Sequence, residues 1–202
     1  MKDHGTDHDA YFEHLQSITW LGRFYKRYVT SPFLYSCARN FGPRILEVGC
    51  GIGAGVLGAY PQAVAGADIN PKAIEYCLAQ GLDARLIPAD EPWDIPSGSF
   101  DVCILDNVLE HVLDPSLLLR ECARVTGPQS GLVAAVPGLK GFACDADHKV
   151  YYDDQSLPFL NPFWKCTGLT GLPMLVGHRM LSKLMKQFCF VAVYRKSAKF
   201  YA

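Results

Sequence analysis

Three carboxylates and a run of glycines mark where this chain is able to do chemistry. In the stretch RILEVGCGIGAGVLG, Glu47 stands two residues before Gly49, and Gly51, Gly53, Gly55 and Gly58 follow. Asp68 lies 19 residues after Gly49, and Asp90 another 22 residues on, beside Glu91. Closely spaced glycines let a ligand approach the backbone. Their spacing fits the dinucleotide pattern G-x-G-x-x-[GA] twice, at Gly49-Gly51-Ala54 and Gly53-Gly55-Gly58, but so many glycines make chance matches easy. Charge separates the ligands. Glu47 would face a pyrophosphate at short range, which is unfavourable, whereas it suits a positive amino group. Asp68 is placed to take two ribose hydroxyls, and Asp90 to accept from the exocyclic amine of adenine. Each also has a plainer reading: Glu47 as a loop carboxylate bound by a backbone amide, Asp68 as a helix cap, Asp90 as a solvated charge. Together the three favour a cationic, ribose-bearing ligand, a description met by S-adenosylmethionine.

For these residues to converge, each must end a strand of one sheet. The pattern supplies such strands: RILEVG, AVAGADI, DARLIPAD, SFDVCILDN and SGLVAAVP, with FCFVAVYRK as a last strand. Between them, residues 53–60 begin a helix. NPKAIEYCLAQG is a helix with Asn70 as N-cap, Pro71 at its first position and Gly81 as C-cap. DPSLLLRECARVT is another, capped by Asp114. Strands that are apolar nearly throughout, alternating with helices, predict a parallel sheet covered on both faces. Ahead of them, apolar residues from Phe12 to Tyr28 recur at three- and four-residue steps and predict a helix over 10–30. Ser31-Pro32 is expected to restart the chain into a second helix ending near Asn40.

The 202 residues suit one domain with a sizeable core. Half are apolar, and the net charge of −1 leaves no electrostatic footprint for nucleic acid. None of the eight cysteines forms a CxxC pair, so no metal is expected, and their place in apolar runs suits a reducing compartment. No run approaches the length of a membrane span and the N-terminus lacks the apolar core of a signal peptide. The expectation is a soluble cytoplasmic protein.

The segments ILEVGCGIGAG, GADI, LIPADEPWDIPSGSFDVCILDNVLEHVLDPSLLLRECARV and GLVAAVPG resemble, in order, the motifs of class I S-adenosylmethionine-dependent methyltransferases, in the small-molecule branch called type 11. The resemblance runs from about 44 to 138. It implies an α/β fold: a Rossmann-like, doubly wound, mostly parallel seven-stranded sheet with FCFVAVYRK as an antiparallel strand near one edge, plus an N-terminal helical cap. In domain terms it implies a cap over 1–43 and a cofactor-binding domain over 44–202, with 138–180 a variable insertion on the acceptor side, all in one compact unit. The cofactor would be S-adenosylmethionine and the product S-adenosylhomocysteine. Glu47 would hold the methionine amino group, Gly49, Gly51 and Gly53 would pass beneath the methionine, and Asp68 would bind the ribose. Ile69 would pack on the adenine, Asp90 with Glu91 would meet its amine, and Asn107 would present a carbonyl near the amino group. GPQSG at 127–131 departs from the PGG turn of many relatives, and DNVL stands where nucleic-acid amino methylation needs NPPY.

Methyl transfer needs proximity and alignment, and a base only when the acceptor is a hydroxyl or a protonated amine. His111 is the candidate base, with a loop-shaping role as its plain alternative. Trp20, Tyr25, His148 and Tyr151 are candidates for an acceptor pocket, within a possible aromatic lid that adds Tyr11, Tyr152 and Trp164. Arg23, Lys26 and Arg27 read as a solvated helix face, or as a grip for an acidic acceptor or a membrane surface. The expected partner is a small molecule, with an O, N or C atom as acceptor and the oligomeric state open. A nicotinamide-dependent oxidoreductase and a non-catalytic module of the same fold remain as alternatives.

Overall fold

The computed structural model describes residues 20–173 and 178–197. Seven strands, β1 Ile45–Val48, β2 Val64–Asp68, β3 Ala84–Leu86, β4 Phe100–Asp106, β5 Thr126–Pro137, β6 Trp164–Leu172 and β7 Cys189–Lys196, form one sheet in the order β3-β2-β1-β4-β5-β7-β6. Strands β1 to β5 pair in parallel, and β7 runs antiparallel between β5 and β6. The doubly wound sheet and its antiparallel strand are as expected. After β1 the chain steps outward to β2 and β3, then returns to β4 on the other side of β1. The carboxyl end of β1 is therefore the switch point, where ligands sit in open α/β sheets.

The apolar strands are buried on both faces. Along β4, Val102 and Ile104 join the core beneath α2 Ser31–Arg39, with Leu34, Ala38 and Val133. Cys103 and Leu105 point the other way, into the core with Leu119, Leu132, Trp164 and Tyr194. Alternation of side chains along a strand produces this division. Trp164 is 3% exposed and its Nε1 donates to Leu119 O at 3.2 Å, so it is core and not lid.

Two elements differ from the sequence reading. Of the helix expected over 10–30, residues 10–19 lie outside the described residues, as does Tyr11. From α1 Trp20–Tyr25 the chain runs through a π turn, Lys26–Thr30, straight into α2. Ser31-Pro32 does not restart it: Thr30 and Ser31 are both helical, and Ser31 N–H donates to Lys26 O, five residues back. Pro32 has no N–H to give, and the widened turn accommodates the gap in the ladder. The second difference is β6, which lies inside 138–180 and was not foreseen. WKCTGLTGL has two glycines and little alternation, and an edge strand needs only one partner.

Elsewhere the expected helices form. α4 Pro71–Ala79 is capped by Asn70, whose Oδ1 accepts from Lys72 N and Ala73 N at 3.0 and 3.4 Å. α5 Ser116–Val125 begins one residue later than expected, with Pro115 and not Asp114 in the N-cap place, although Asp114 Oδ1 accepts from Ser116 N at 2.9 Å. Within the first part of β5, residues 127–130 bulge out between the pairs Phe100–Thr126 and Val102–Gly131. A Cβ on Gly131 would lie 2.6 Å from the Phe41 ring, which explains why this glycine persists where the rest of the turn departs from the family pattern. The remaining helices are α3 Val56–Ala59, α6 Leu139–Phe142 and α7 His178–Leu184. Among the described residues no helix is long and apolar enough to cross a membrane.

The loop joining β3 to β4 is fastened by a buried fork. Glu121 of α5 accepts from Arg124 Nε and Nη2 at 2.8 and 2.7 Å and from Trp93 N at 2.7 Å. Arg124 also donates to Ile95 O at 2.7 Å and Trp93 O at 2.9 Å. Burial pushes the Glu121 carboxyl up, but the Arg124 fork and the Trp93 amide outweigh it and hold the group below its ordinary range. Glu121→Gln should lower stability by about 2 kcal/mol, the worth of a lost hydrogen bond to a charged group. A drop in the urea midpoint at unchanged m-value is the expected readout; an unshifted midpoint would mean the fork contributes nothing net.

Candidate active site

β1 delivers Glu47 to the switch point, and the glycines fold around it. Gly49, Gly51 and Gly53 all have left-handed φ, at 75°, 52° and 72°. Three such residues in alternation keep the backbone from starting a helix at 53, so α3 begins at Val56 and is a single turn. Glu47, 1% exposed, accepts from Val56 N at 3.1 Å and Leu57 N at 2.6 Å, the first amides of that turn. A Cβ on Gly55 would stand 2.3 Å from Glu47 Oε1, so the loop passes there only as glycine. Burial pushes the Glu47 carboxyl up to about 7; Asp106 adds to the rise, and Lys26 and the two amides oppose it.

Asp68, at the end of β2 and 5% exposed, reaches across to the same loop. It accepts from Gly51 N at 2.7 Å and from Asn70 N at 2.9 Å. Beside it Ile69, 42% exposed, joins Leu86, Ile87, Pro88 and Ala89 around an apolar cleft of ≈ 380 Å³. This cleft has the character needed to hold a flat heterocycle. Asp90 and Glu91 follow Ala89 in exposed positions. The expectation that Asp90 ends the third strand is corrected: β3 stops at Leu86, because Ile87 N makes a last bond to Asp68 O at 2.9 Å and Pro88 has no amide to continue. Asn107, after β4, has φ 56°, and its N donates to Ala135 O at 3.0 Å. Asparagine is among the few non-glycine residues that tolerate such a turn.

Two residues of this pocket escaped the sequence reading. Asp106, 4% exposed, ends β4 across from Glu47, and Lys26 reaches it from the π turn, with Nζ 3.2 Å from Asp106 Oδ2. The solvated face expected here is thus corrected at Lys26, whereas Arg27 stays exposed. Lys26 turns inward, and Arg27 Nη1 donates to Gly58 O. The π turn rotates both side chains toward the glycine loop, and no three- or four-residue spacing signals it. Arg23 and Trp20 belong to α1, but their side chains lie outside the described residues. The Tyr25 hydroxyl is buried without a hydrogen-bond partner, and burial, with Cys189 nearby, pushes its pKa up to about 12.

A second group gathers beyond the end of β4. Leu109–His111 form a single 3-10 turn, and the backbone carbonyl of Glu110 accepts from Lys149 N and Val150 N at 2.7 and 3.1 Å. His111 and His148 meet edge to face, 4.7 Å between centroids. Phe142 stacks on His148 and meets Tyr151 edge-on, each at 5.3 Å. Burial first, then His148, lowers the His111 pKa; burial raises that of Tyr151. The structure thus brings His111, His148 and Tyr151 together, although they are scattered over 41 positions of sequence. Asp145 and Phe142 carry no sequence signal.

A glycine loop over two buried carboxylates at the switch point, with an apolar cleft beside the second, gives the chain the class I S-adenosylmethionine-dependent methyltransferase fold. Its residues 46–134 match the family model described as "Methyltransferase domain". The chain is 33% identical over 95 residues to a ubiquinone biosynthesis O-methyltransferase of Thiobacillus denitrificans, covering 43% of this chain and 41% of that protein. It therefore spans about two-fifths of the length of the curated relatives it matches. Among solved structures, it superposes on an S-adenosylmethionine-dependent methyltransferase from Aquifex aeolicus with a TM-score of 0.66 at 14% identity, over 95% of this chain and 100% of that one. A possible histamine N-methyltransferase from Thermotoga maritima gives 0.68 at 13% identity, over 94% and 98%.

The raised Glu47 carboxyl fixes a pH dependence. Between the ordinary carboxylate value and about 7, the native chain keeps a proton that the unfolded chain has lost, so stability falls as pH rises through that window. Glu47→Gln removes this contribution, on the order of 1 kcal/mol per pH unit. Urea unfolding of both proteins from about pH 5 to about pH 7 should show the flatter profile in the variant; parallel profiles would mean that Glu47 is ionised throughout.

Proposed function

We propose that this chain transfers the methyl group of S-adenosylmethionine to a small-molecule acceptor, with oxygen favoured because its curated relatives are O-methyltransferases. The observation that carries the reading is a buried cation site at the switch point: Glu47 and Asp106, with an ammonium, that of Lys26, already 3.2 Å from Asp106. A pocket of this charge repels the pyrophosphate of a nicotinamide cofactor and attracts an amino acid's ammonium. In this reading Glu47 and Asp106 hold the methionine amino group, near the Asn107 carbonyl, in the place Lys26 now fills. Gly49, Gly51 and Gly53 pass beneath the methionine. Asp68 keeps its two amide donors and takes the ribose hydroxyls. Ile69 and the cleft beside it receive the adenine, with Asp90 and Glu91 at the rim.

S-adenosylmethionine supplies a methyl on a sulfonium: the acceptor atom bonds to that carbon as the C–S bond breaks, and the electron pair stays on sulfur in S-adenosylhomocysteine. The protein's part is alignment and exclusion of water, worth up to roughly 7–11 kcal/mol in favourable cases. A hydroxyl acceptor must also lose its proton. His111, His148 and Glu110 stand at the mouth where that proton leaves, with Tyr25 and Tyr151 among the surrounding walls. The eight cysteines are free, which suits a reducing, cytoplasmic setting.

Calorimetric titration with S-adenosylmethionine, S-adenosylhomocysteine, NADH and NADPH tests the assignment. The sulfur nucleotides should bind at micromolar Kd and the nicotinamides not at all. Asp68→Ala should weaken binding roughly tenfold or more, as expected for lost hydrogen bonds to a charged group. Binding of NADH would overturn the charge argument, and silence with all four would leave a non-catalytic module of the same fold.

A further inference from the structure

The group beyond the end of β4 has a feature that methyl transfer does not by itself require. One donor atom from each of Glu110, His111 and His148 lies within 4.8 Å of the others. Glu110 is 1% exposed, and both of its carboxylate oxygens are buried without a hydrogen-bond partner. Such a group is costly unless something else satisfies it. His148 is held from behind. Its Nδ1 is 2.9 Å from Phe142 O, and a carbonyl only accepts, so Nδ1 carries the hydrogen and Nε2 offers a lone pair. Nε2 faces Glu110 Oε1 at 3.9 Å and Asp145 Oδ2 at 3.8 Å, too far for hydrogen bonds. An imidazole anchored by a carbonyl, aimed at a partnerless buried carboxylate, has the outer-shell support typical of metal-binding histidines.

We propose that Glu110, His111 and His148 bind a divalent transition-metal ion of the zinc type, with open coordination positions for an oxygen of the acceptor. Two imidazoles and one carboxylate suit such an ion better than magnesium or calcium, which favour all-oxygen sets. Bonds of about 2.0–2.1 Å place tetrahedral donors about 3.3 Å apart, so the donor atoms need close by at most about 1.5 Å. An acceptor hydroxyl on the ion would release its proton to water and keep the electron pair on oxygen, ready for the methyl carbon. The acceptor's part in this rests on the methyltransferase reading; the metal site itself does not. No cysteine spacing announced the site, because it joins a 3-10 turn to a loop 37 residues further along.

Cobalt(II) titration of the purified chain, without cofactor or acceptor, is the test, since cobalt reports its ligands optically. One saturating equivalent should give visible d–d bands without thiolate-to-metal charge transfer. His148→Ala and Glu110→Gln should each weaken binding at least tenfold, with circular dichroism confirming the fold. Cys144→Ser, at an exposed thiol beside Asp145, should change nothing. Absence of a saturable spectrum in the wild type would overturn the proposal. So would a charge-transfer band that survives His148→Ala and disappears in Cys144→Ser. S-adenosylmethionine titrated into the same proteins separates the two readings: cofactor binding without cobalt binding defeats the metal site alone, and cobalt binding without cofactor binding defeats the methyltransferase assignment alone.

Discussion

A carboxylate held out of water beneath a loop organises the ligand-binding end of this protein. Glu47 has no place to go from the end of β1 except into the space the glycines enclose. Its two amide partners, Val56 and Leu57, set where α3 begins. Its bulk dictates that residue 55 have no side chain. Asp68 repeats the device from the next strand, drawing Gly51 down with a 2.7 Å bond. The loop is thus fastened from below by acceptors, and the conformation that receives a ligand is built before a ligand arrives. Preorganisation of this sort lowers the entropy that binding would otherwise lose.

Two buried carboxylates facing each other need a counter-charge. Lys26 provides it, and the means is an irregularity in a helix. A regular helix through Pro32 would leave an unsatisfied carbonyl and point Lys26 elsewhere; the π turn resolves both. The helix is then tied down twice, by Lys26 on Asp106 at the end of β4 and by Arg27 on Gly58 O in α3. The packing of α2 on the sheet through Leu34 and Ala38 fixes the far end of the same helix.

How far the sequence foretold this depended on whether a feature was local. Asn70 was readable as a cap because a cap acts within three residues. β1, β2, β4 and β7 were readable because strands buried on both faces must be apolar throughout. Glu47 and Asp68 were readable from the register of strand ends, and their plainer roles, binding backbone amides, are also present in the structure. What was not readable arises between distant segments. Lys26 looked like any surface lysine, since nothing in its own neighbourhood reveals a buried Asp106 eighty residues away. Asp90 was set at a strand end because the apolar run continues to Ala89, whereas an edge strand stops where its one partner stops. β6 carried no alternation because Lys165 to Thr170 are exposed or half-buried whichever face they point to, and its glycines carry no side chain to pack.

The order of strands in the sheet has a kinetic side. β7 is the last described strand in the chain, yet it lies between β5 and β6, and each of them pairs with it along most of its length. Until residues 189–196 arrive, β6 has no neighbour in the sheet, and the edge of β5 is bare. The parallel half, β1 to β5, is able to collapse on its own contacts, but the sheet is complete only when its final segment pairs with both β5 and β6. Exposed strand edges in incomplete sheets are where chains pair with the wrong partner. The architecture therefore concentrates its exposure to misassembly in the interval before its last strand inserts.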